Sequence, residues 1–504
     1  MSAMAFQHIH ELFDDRLAQT PAQPFLFTPE GTLTLADLGA RVTQLEAELR
    51  ADGVRPGDRV LTVAENCPEH VALILACSRV GAWSCGVNAR MSRGEIEAFT
   101  EKADPRVVYF TSGVSDAARR HASGAGARPS VLAGLARSPS RPQAVAETGE
   151  LADRVAAIIF TSGTTGTPKG VLVSHAGLLQ FGRISTESRQ LGTHDRSYAY
   201  LPMTHIFGLG TVLMASLHAG AGLVMRSKFD PADVFEALAH GGVTNLQGPP
   251  AMFTRLLAWL DEQGIVTPPA PALRYVYTGA APLDMALKRA VEARFGHPLH
   301  HGYGLSEYAG ALCLGRLGVH RDDTSAGYLV EGGGLRIVDP EGRDLPAGER
   351  GEIWMRGVGL MPGYFRDDAA TAQVMRPGGW YASGDLGYLD PDGALFVVGR
   401  LKEMIIRSGF NVYPGEVEAV LCQFPGIQRA AVVGRKEADG NEEILAFVET
   451  VGLVPPDMDR LNTYLADHLA PYKRPARILA VEAFPMTHSG KVLKRELLTL
   501  HSRG

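Results

Sequence analysis

Long apolar runs are missing from this chain. No stretch of about 18 apolar residues occurs, which argues against a membrane-spanning helix. The start, MSAMAFQHIHELFDDRLAQ, has neither a basic leader nor an apolar core, so no secretory signal is expected. Cysteines are few: Cys67, Cys77, Cys85, Cys313 and Cys422 are scattered, with no CxxC pair. That removes a disulfide framework and a thiolate zinc site. It fits unpaired structural thiols in a reducing cytoplasm. Positive charge is not in excess either. A formal net charge of −6 gives no reason to expect nucleic acid or an anionic membrane as partner. No repeat of roughly 20–50 residues is visible.

What is present is an ordinary folded-protein composition, 45% hydrophobic and 21% charged, over 504 residues. That length exceeds what one core normally holds, so two or more domains are expected. TLADLGARVTQLEAELRADG reads as a helix with a glycine stop, GDRVLTVA as a buried strand, PEHVALILACSRVGA as a second helix and PRVVYFTSG as a second strand. Such alternation predicts an α/β layered architecture. Residues 112–153, rich in Ala, Gly, Ser, Pro and Arg, read as a surface excursion or flexible connection. VAAIIF (155–160) reads as a buried strand. A boundary is expected near Arg400. GALFVVGR before it reads as a strand. After it, helices EVEAVLCQF and MDRLNTYLADHL and strands IQRAAVVG, EILAFVET and ARILAVE suffice for a small α+β domain.

The VAAIIF strand runs into TSGTTGTPKG (161–170). Gly163 and Gly166 let backbone N–H groups converge on an anion with no Cβ in the way. Thr161, Ser162, Thr164 and Thr165 add hydroxyl donors, and Lys169 adds a mobile positive charge. This is not a Walker loop, which reads GxxxxGK followed by Ser or Thr. Here Pro168 precedes the lysine and Gly170 follows it.

The string closely resembles the signature loop of the adenylate-forming superfamily of acyl-CoA synthetases, adenylation domains and luciferases. Further strings resemble that family's motifs in the same order: TGAAPL (278–283), YGLSE (303–307), GEIWMRGVGLMPGY (351–364), YASGDLG (381–387), GRLKEMIIRSGFNVYPGEVE (399–418) and SGKVLKREL (489–497). The resemblance covers essentially the whole chain. It implies a large N-terminal α/β domain of several subdomains (1–400), with β-sheets packed by helices, and a small mobile α+β C-terminal domain (401–504). The implied activity is an AMP-forming ligation of a carboxylic acid to CoA, with ATP, Mg2+ and CoA consumed or bound.

The roles implied by the resemblance follow the chemistry. A carboxylate must attack the α-phosphorus of ATP while pyrophosphate leaves, and cations have to bridge the two anions. The glycine loop, Thr161 to Gly166 with Lys169, holds the β- and γ-phosphates. Glu307 is the magnesium-linked carboxylate, a hard ligand suited to that ion. Ser306 replaces the usual Thr and keeps its hydroxyl. Tyr303, between Gly302 and Gly304, stacks on adenine, while Gly279, Ala280 and Ala281 form another wall. Asp385 accepts the ribose hydroxyls, with Arg400 as helper on ribose or α-phosphate. Lys491 is the catalytic cation of adenylation. Rotation about a hinge at Lys402 then withdraws it and brings Ser408, Gly409 and Phe410 to a CoA tunnel.

PMTHIFGLG (202–210) resembles the acyl-pocket stretch, with His205 at the carboxylate and Phe207 and Gly208 lining the pocket, together with Gly279, Ala309 and Gly310. It holds no aspartate of the kind that pairs a substrate ammonium. The candidate segments, including LQGPPAMF (246–253) and YAGALCL (308–314), are apolar and small, with no obvious unpaired charge. That favours a medium or longer fatty acid. The alternatives are an aryl acid of the benzoate or cinnamate kind, and an enzyme loading a carrier protein. No carrier domain follows Lys491, so free CoA is the expected acceptor. Monomer and homodimer both stay open.

Overall fold

The computed structural model describes residues 6–161, 169–407, 410–436, 442–450, 452, 456–486 and 492–501. It is a mixed α/β protein, as expected. The strand Arg59–Ala64 is buried at every position. It is flanked in parallel register by Trp83–Asn88 and Val107–Phe110, with the helix Pro68–Arg79 connecting the first pair. Strands covered on both faces are apolar throughout, which is why GDRVLTVA carries no alternation. Among the described residues this sheet has seven strands, and its last pair is the antiparallel hairpin Val155–Thr161 and Lys169–Ser174.

Of the two expectations for residues 112–153, the surface excursion fits and the flexible connection does not. These residues hold a helix, Asp116–Gly124, and two short strands, Arg128–Pro129 and Ala136–Arg137, which extend the seven-stranded sheet. Ser115 caps that helix by accepting from Ala118 N–H at 3.1 Å. The segment is fastened by polar groups that a hydrophobicity pattern does not show. Glu48, 7% exposed, accepts from Tyr109 Oη (3.0 Å), Val131 N–H (3.0 Å) and Arg137 Nε (3.0 Å). Arg106 donates to both oxygens of the fully buried Asp58 (3.1 and 3.2 Å) and to the carbonyls of Arg141 and Ala144.

A second sheet has nine strands among the described residues. Its parallel centre runs Leu299–Leu305, Tyr275–Gly279, Asn245–Gly248, Arg196–Ala199 and Gly222–Met225. The two sheets meet where Asn66 reaches across. Its Nδ2 donates to Leu201 O (2.8 Å) and its Oδ1 accepts from Met203 N–H (2.9 Å). A third, antiparallel sheet contains Gly351–Gly357, Trp380–Leu389 and Leu395–Arg400.

Beyond residue 400 the chain has a core of its own. Val417, Leu421, Val432, Ile444, Leu461 and Leu465 pack together between the helices Pro414–Cys422 and Met458–His468 and the strands Ile427–Lys436, Glu442–Thr450 and Arg477–Ala480. Glu416 ties this part to the third sheet through Arg350 (2.6 Å) and takes Lys473 at 2.8 Å. Cys67, Cys77, Cys85 and Cys313 are buried, as expected of structural thiols, and Cys422 is half-buried.

The Arg106–Asp58 pair gives a stability test. Arg106→Met takes the buried cation away from the fully buried Asp58 carboxylate, which keeps the Arg55 N–H (2.9 Å), so it costs about 3 kcal/mol. The check is a lowered midpoint in thermal unfolding, with wild-type far-UV circular dichroism below the transition.

Candidate active site

The two strands of the hairpin flank the glycine-rich string in sequence. Thr161 pairs with Lys169 and Phe160 with Gly170, so the two strands deliver both ends of the string to one place. Thr161 and Lys169 are half-buried. Ser162, Gly163, Thr164, Thr165 and Gly166 lie outside the described residues.

An irregular segment runs beside the hairpin. Val171 forms a bridge with Tyr364, and Phe365 N–H donates to Gly170 O (2.7 Å). Tyr364 is thereby set under Lys169, whose Nζ lies 4.7 Å from the ring centroid. The Tyr364 phenol donates to Glu307 Oε1 at 3.0 Å. Glu307 itself lies in the 3-10 turn Ser306–Tyr308, at the tip between the antiparallel strands Leu299–Leu305 and Gly310–Leu314. Its carbonyl accepts from Met361 N–H (2.8 Å). Ser306 is buried in the same turn.

Asp385 and Arg400 are register partners on adjacent strands. Arg400 Nε lies 3.1 Å from Asp385 Oδ1, and Tyr303 Oη donates to Oδ2 at 2.7 Å. Burial raises the Tyr303 phenol well above its ordinary range, and the Asp385 carboxylate adds to this. Burial alone would weaken the Arg400 cation, but Asp385, Glu403, Tyr303 and Glu307 together outweigh it and hold the charge. The three residues expected around the nucleoside thus form one chain. Tyr303 is more than a stacking ring, because its hydroxyl is tied to the carboxylate assigned to ribose.

Next to it, Gly279 and Gly302 are paired across the parallel strands. A Cβ on Gly302 would come within 2.3 Å of Tyr277 Oη, and one on Gly279 within 3.1 Å. The Tyr277 phenol therefore occupies the space that two missing side chains leave. The Phe207 ring meets Tyr277 edge to face, centroids 5.8 Å apart. Phe207 opens an eight-residue π-helix, Phe207–Met214, a rare geometry that recurs at functional sites. Gly208 lies against the Leu201 and Pro202 carbonyls, where a Cβ would be 2.2 Å from Pro202 O. His205 Nδ1 accepts from Phe207 N–H (3.2 Å), which leaves the proton of the neutral ring on Nε2. Ala280 (φ +67°) and Ala309 (φ +52°) are left-handed without being glycine, each just past a strand or turn of the site. Ala280 is exposed and Ala281 half-buried. Gly304 and Gly310 face each other closely, and a Cβ on Gly304 would be 2.2 Å from Gly310 O.

One feature differs from the expectation of a wall without unpaired charge. Arg189, wholly buried, lies behind the tyrosines. Its guanidinium carbon is 5.4 Å from the Tyr277 centroid and 5.8 Å from that of Tyr275. It donates to Gln247 Oε1 (2.8 Å) and Thr211 O (3.0 Å) and forms no ion pair among the described residues. Burial lowers its pKa. Arg189 lies in none of the pocket strings, so sequence reading missed it. Tyr364 and Tyr381 stood inside quoted motifs but carried no assigned role.

Lys491, Ser408 and Gly409 lie outside the described residues, and of Phe410 only the backbone, in the strand Phe410–Val412, is described. Lys402 is exposed in the 3-10 turn Leu401–Glu403, directly after the strand that ends at Arg400. Magnesium fits the donor set. Glu307 offers a half-buried carboxylate with one oxygen bonded to Tyr364, and among the described residues no cluster of three His, Cys, Asp or Glu forms a closed metal cage. Magnesium bound through one carboxylate, with phosphates and water completing its shell, needs no such cage. No helix among the described residues is long and apolar enough to cross a membrane.

Comparison with known proteins agrees with this geometry. Residues 13–365 match the AMP-binding enzyme family, and residues 416–491 match the AMP-binding enzyme C-terminal domain. A feruloyl-CoA synthase from Amycolatopsis sp is 34% identical over 474 residues, covering 92% of this chain and 93% of that one. The 4-coumarate–CoA ligase 2 of Nicotiana tabacum is 31% identical over 510 residues, covering 97% and 93%. The ATP-bound crystal structure of MatB from Rhodopseudomonas palustris superposes with a TM-score of 0.87 at 28% identity, covering 98% of this chain and 99% of that one. With both domains matched over most of its length, the chain belongs to the AMP-binding enzyme family of the adenylate-forming superfamily and is an AMP-forming acid–CoA ligase that uses ATP and CoA.

Proposed function

We propose that the acid is an aryl acid of the hydroxycinnamate kind, rather than the fatty acid favoured by the small, apolar pocket strings. The observation that carries this reading is the aromatic end wall. Tyr277 fills the space above Gly279 and Gly302, and Phe207 stands edge-on to it. A tunnel for a long alkyl chain needs small residues along its whole course. Here two rings close the far side, and aromatic pairs of this geometry add about 0.5–1.5 kcal/mol beyond area burial. The Tyr277 phenol lies beside Gly279 and Gly302, where a Cβ would meet it at 3.1 and 2.3 Å, and in this reading it takes up a ring hydroxyl. The relatives named for feruloyl and 4-coumaroyl substrates support the same class.

The division of labour is part of the proposal. The boundary lies at 400/401. The carboxylate attacks the α-phosphorus, forming the acyl–phosphate bond as the bond to pyrophosphate breaks. The hairpin loop and Lys169 hold the departing pyrophosphate. Glu307 would hold a magnesium ion, which would screen the charge of the leaving group. Tyr303, Asp385 and Arg400 fix the nucleoside, and Ser306 with His205 Nε2–H orients the acid. Lys491 bridges the carboxylate and the α-phosphate. After rotation at Lys402, the CoA thiol enters past Ser408, Gly409 and Phe410, attacks the acyl carbonyl, and AMP leaves.

AMP release is measured with an acid panel and CoA. Hydroxycinnamates are expected to exceed octanoate and longer alkyl acids by at least about tenfold in kcat/KM. Faster turnover of an alkyl acid would return the assignment to fatty acids. Tyr277→Phe should lower kcat/KM for 4-hydroxycinnamate by about tenfold and leave cinnamate unchanged.

The half-reactions separate the two cation and tunnel roles. Lys491→Ala should slow pyrophosphate release about 10²-fold or more while still converting supplied acyl-adenylate to thioester. Gly409→Leu should do the reverse. Parallel loss of both half-reactions in either variant would remove the alternation from this account.

A further inference from the structure

Tyr364 touches both charged groups of the phosphate site, yet the reaction as described gives it no part. It is 5% exposed, and its position is set by backbone contacts. Its N–H donates to Thr371 Oγ1 (2.9 Å), and it bridges Val171, two residues after Lys169. The ring face lies 4.7 Å from Lys169 Nζ, and the phenol lies 3.0 Å from Glu307 Oε1. The Tyr381 hydroxyl stands 3.4 Å from the Tyr364 hydroxyl, closing the far side. Among the described residues no ion pair joins Lys169 to Glu307, although one aromatic side chain reaches both.

We propose that Tyr364 is a positioning residue that holds Lys169 and Glu307 close together while keeping them from neutralising each other. This rests on the reading of Glu307 as the magnesium-side carboxylate. An ammonium and a carboxylate in direct contact would satisfy one another, and neither would be available to phosphate or to a metal. The ring face attracts the ammonium without supplying a formal negative charge. The phenol binds one carboxylate oxygen, fixes the rotamer and leaves Oε2 for a cation. The same side chain thus sets the register between the pyrophosphate cation on the hairpin and the carboxylate on the turn.

The test reads metal binding directly. Mn2+ is titrated by electron paramagnetic resonance into enzyme holding a non-cleavable ATP analogue. Tyr364→Phe keeps the ring and should weaken Mn2+ about tenfold, the usual loss when a ligand's supporting hydrogen bond is removed. Glu307→Gln should weaken it at least as much, and the double variant no further than Glu307→Gln alone. Wild-type affinity in Tyr364→Phe beside a weakened Glu307→Gln would overturn the proposal, as would fully additive losses. Wild-type affinity in both single variants would take Glu307 off the metal and the proposal with it, while the ligase reading stands or falls separately on AMP formation. Tyr364→Leu, which also removes the ring, should raise the KM for ATP beyond the Tyr364→Phe value and leave the KM for the acid unchanged. Equal ATP affinity in the two variants would remove Lys169 from the coupling.

Discussion

Two anions have to touch in this reaction, a carboxylate and a triphosphate, and the charged groups around the hairpin answer that repulsion. Coulomb energy between unit charges at 4 Å is about 4 kcal/mol at a near-surface dielectric. Cations must therefore be present, but they must not be consumed by the protein's own carboxylates. Lys169 rests on an aromatic face and Glu307 takes a phenol, whereas Arg400 is paired directly, with Asp385. That direct pair falls at the carboxylate assigned to ribose, a neutral group.

The fold serves this arrangement by bringing three sheets to one place. The hairpin strand Lys169–Ser174 forms one edge of the seven-stranded sheet. Gly279 and the Ser306–Tyr308 turn end neighbouring strands of the nine-stranded sheet, and Asp385 and Arg400 lie on the third. Asn66 fastens the first two sheets beside His205, and the 361–365 segment fastens the hairpin to the Glu307 turn. Each catalytic string is short because each is one strand end and its turn. The strings are far apart in sequence because each sheet has its own run of chain.

That organisation decides what was legible in the sequence. TSGTTGTPKG, YGLSE and SGDLG could be read because each packs its chemistry into one turn, where glycine and hydroxyl spacing carry the signal. The alternating helices and strands could be read for the same local reason. Tyr364 could not be read as a partner of Glu307, 57 residues away, because a tyrosine in an apolar string looks like core. The segment 112–153 holds more order than its composition shows, because Glu48 and Arg106 fasten it alongside a few buried side chains such as Leu132 and Leu135. The proposed aryl acid departs from the expected fatty acid for a related reason. A small residue such as Gly279 suggests room, but in the fold the Tyr277 hydroxyl stands 3.1 Å from where its Cβ would be.

Arg189 shows how that ring can be held so firmly. A wholly buried guanidinium without a carboxylate is costly unless its charge is spread over other acceptors. Two tyrosine faces, a glutamine oxygen and a backbone carbonyl share it here. A carboxylate in their place would bind the cation more strongly but would leave Tyr277 free to turn. With the charge distributed over ring faces, the cation's stability depends on the tyrosines staying where they are. The proposed pocket wall is thus backed by the same kind of cation–aromatic contact that Lys169 makes with Tyr364. In both places aromatic faces hold the cation in position without the formal negative charge of a carboxylate.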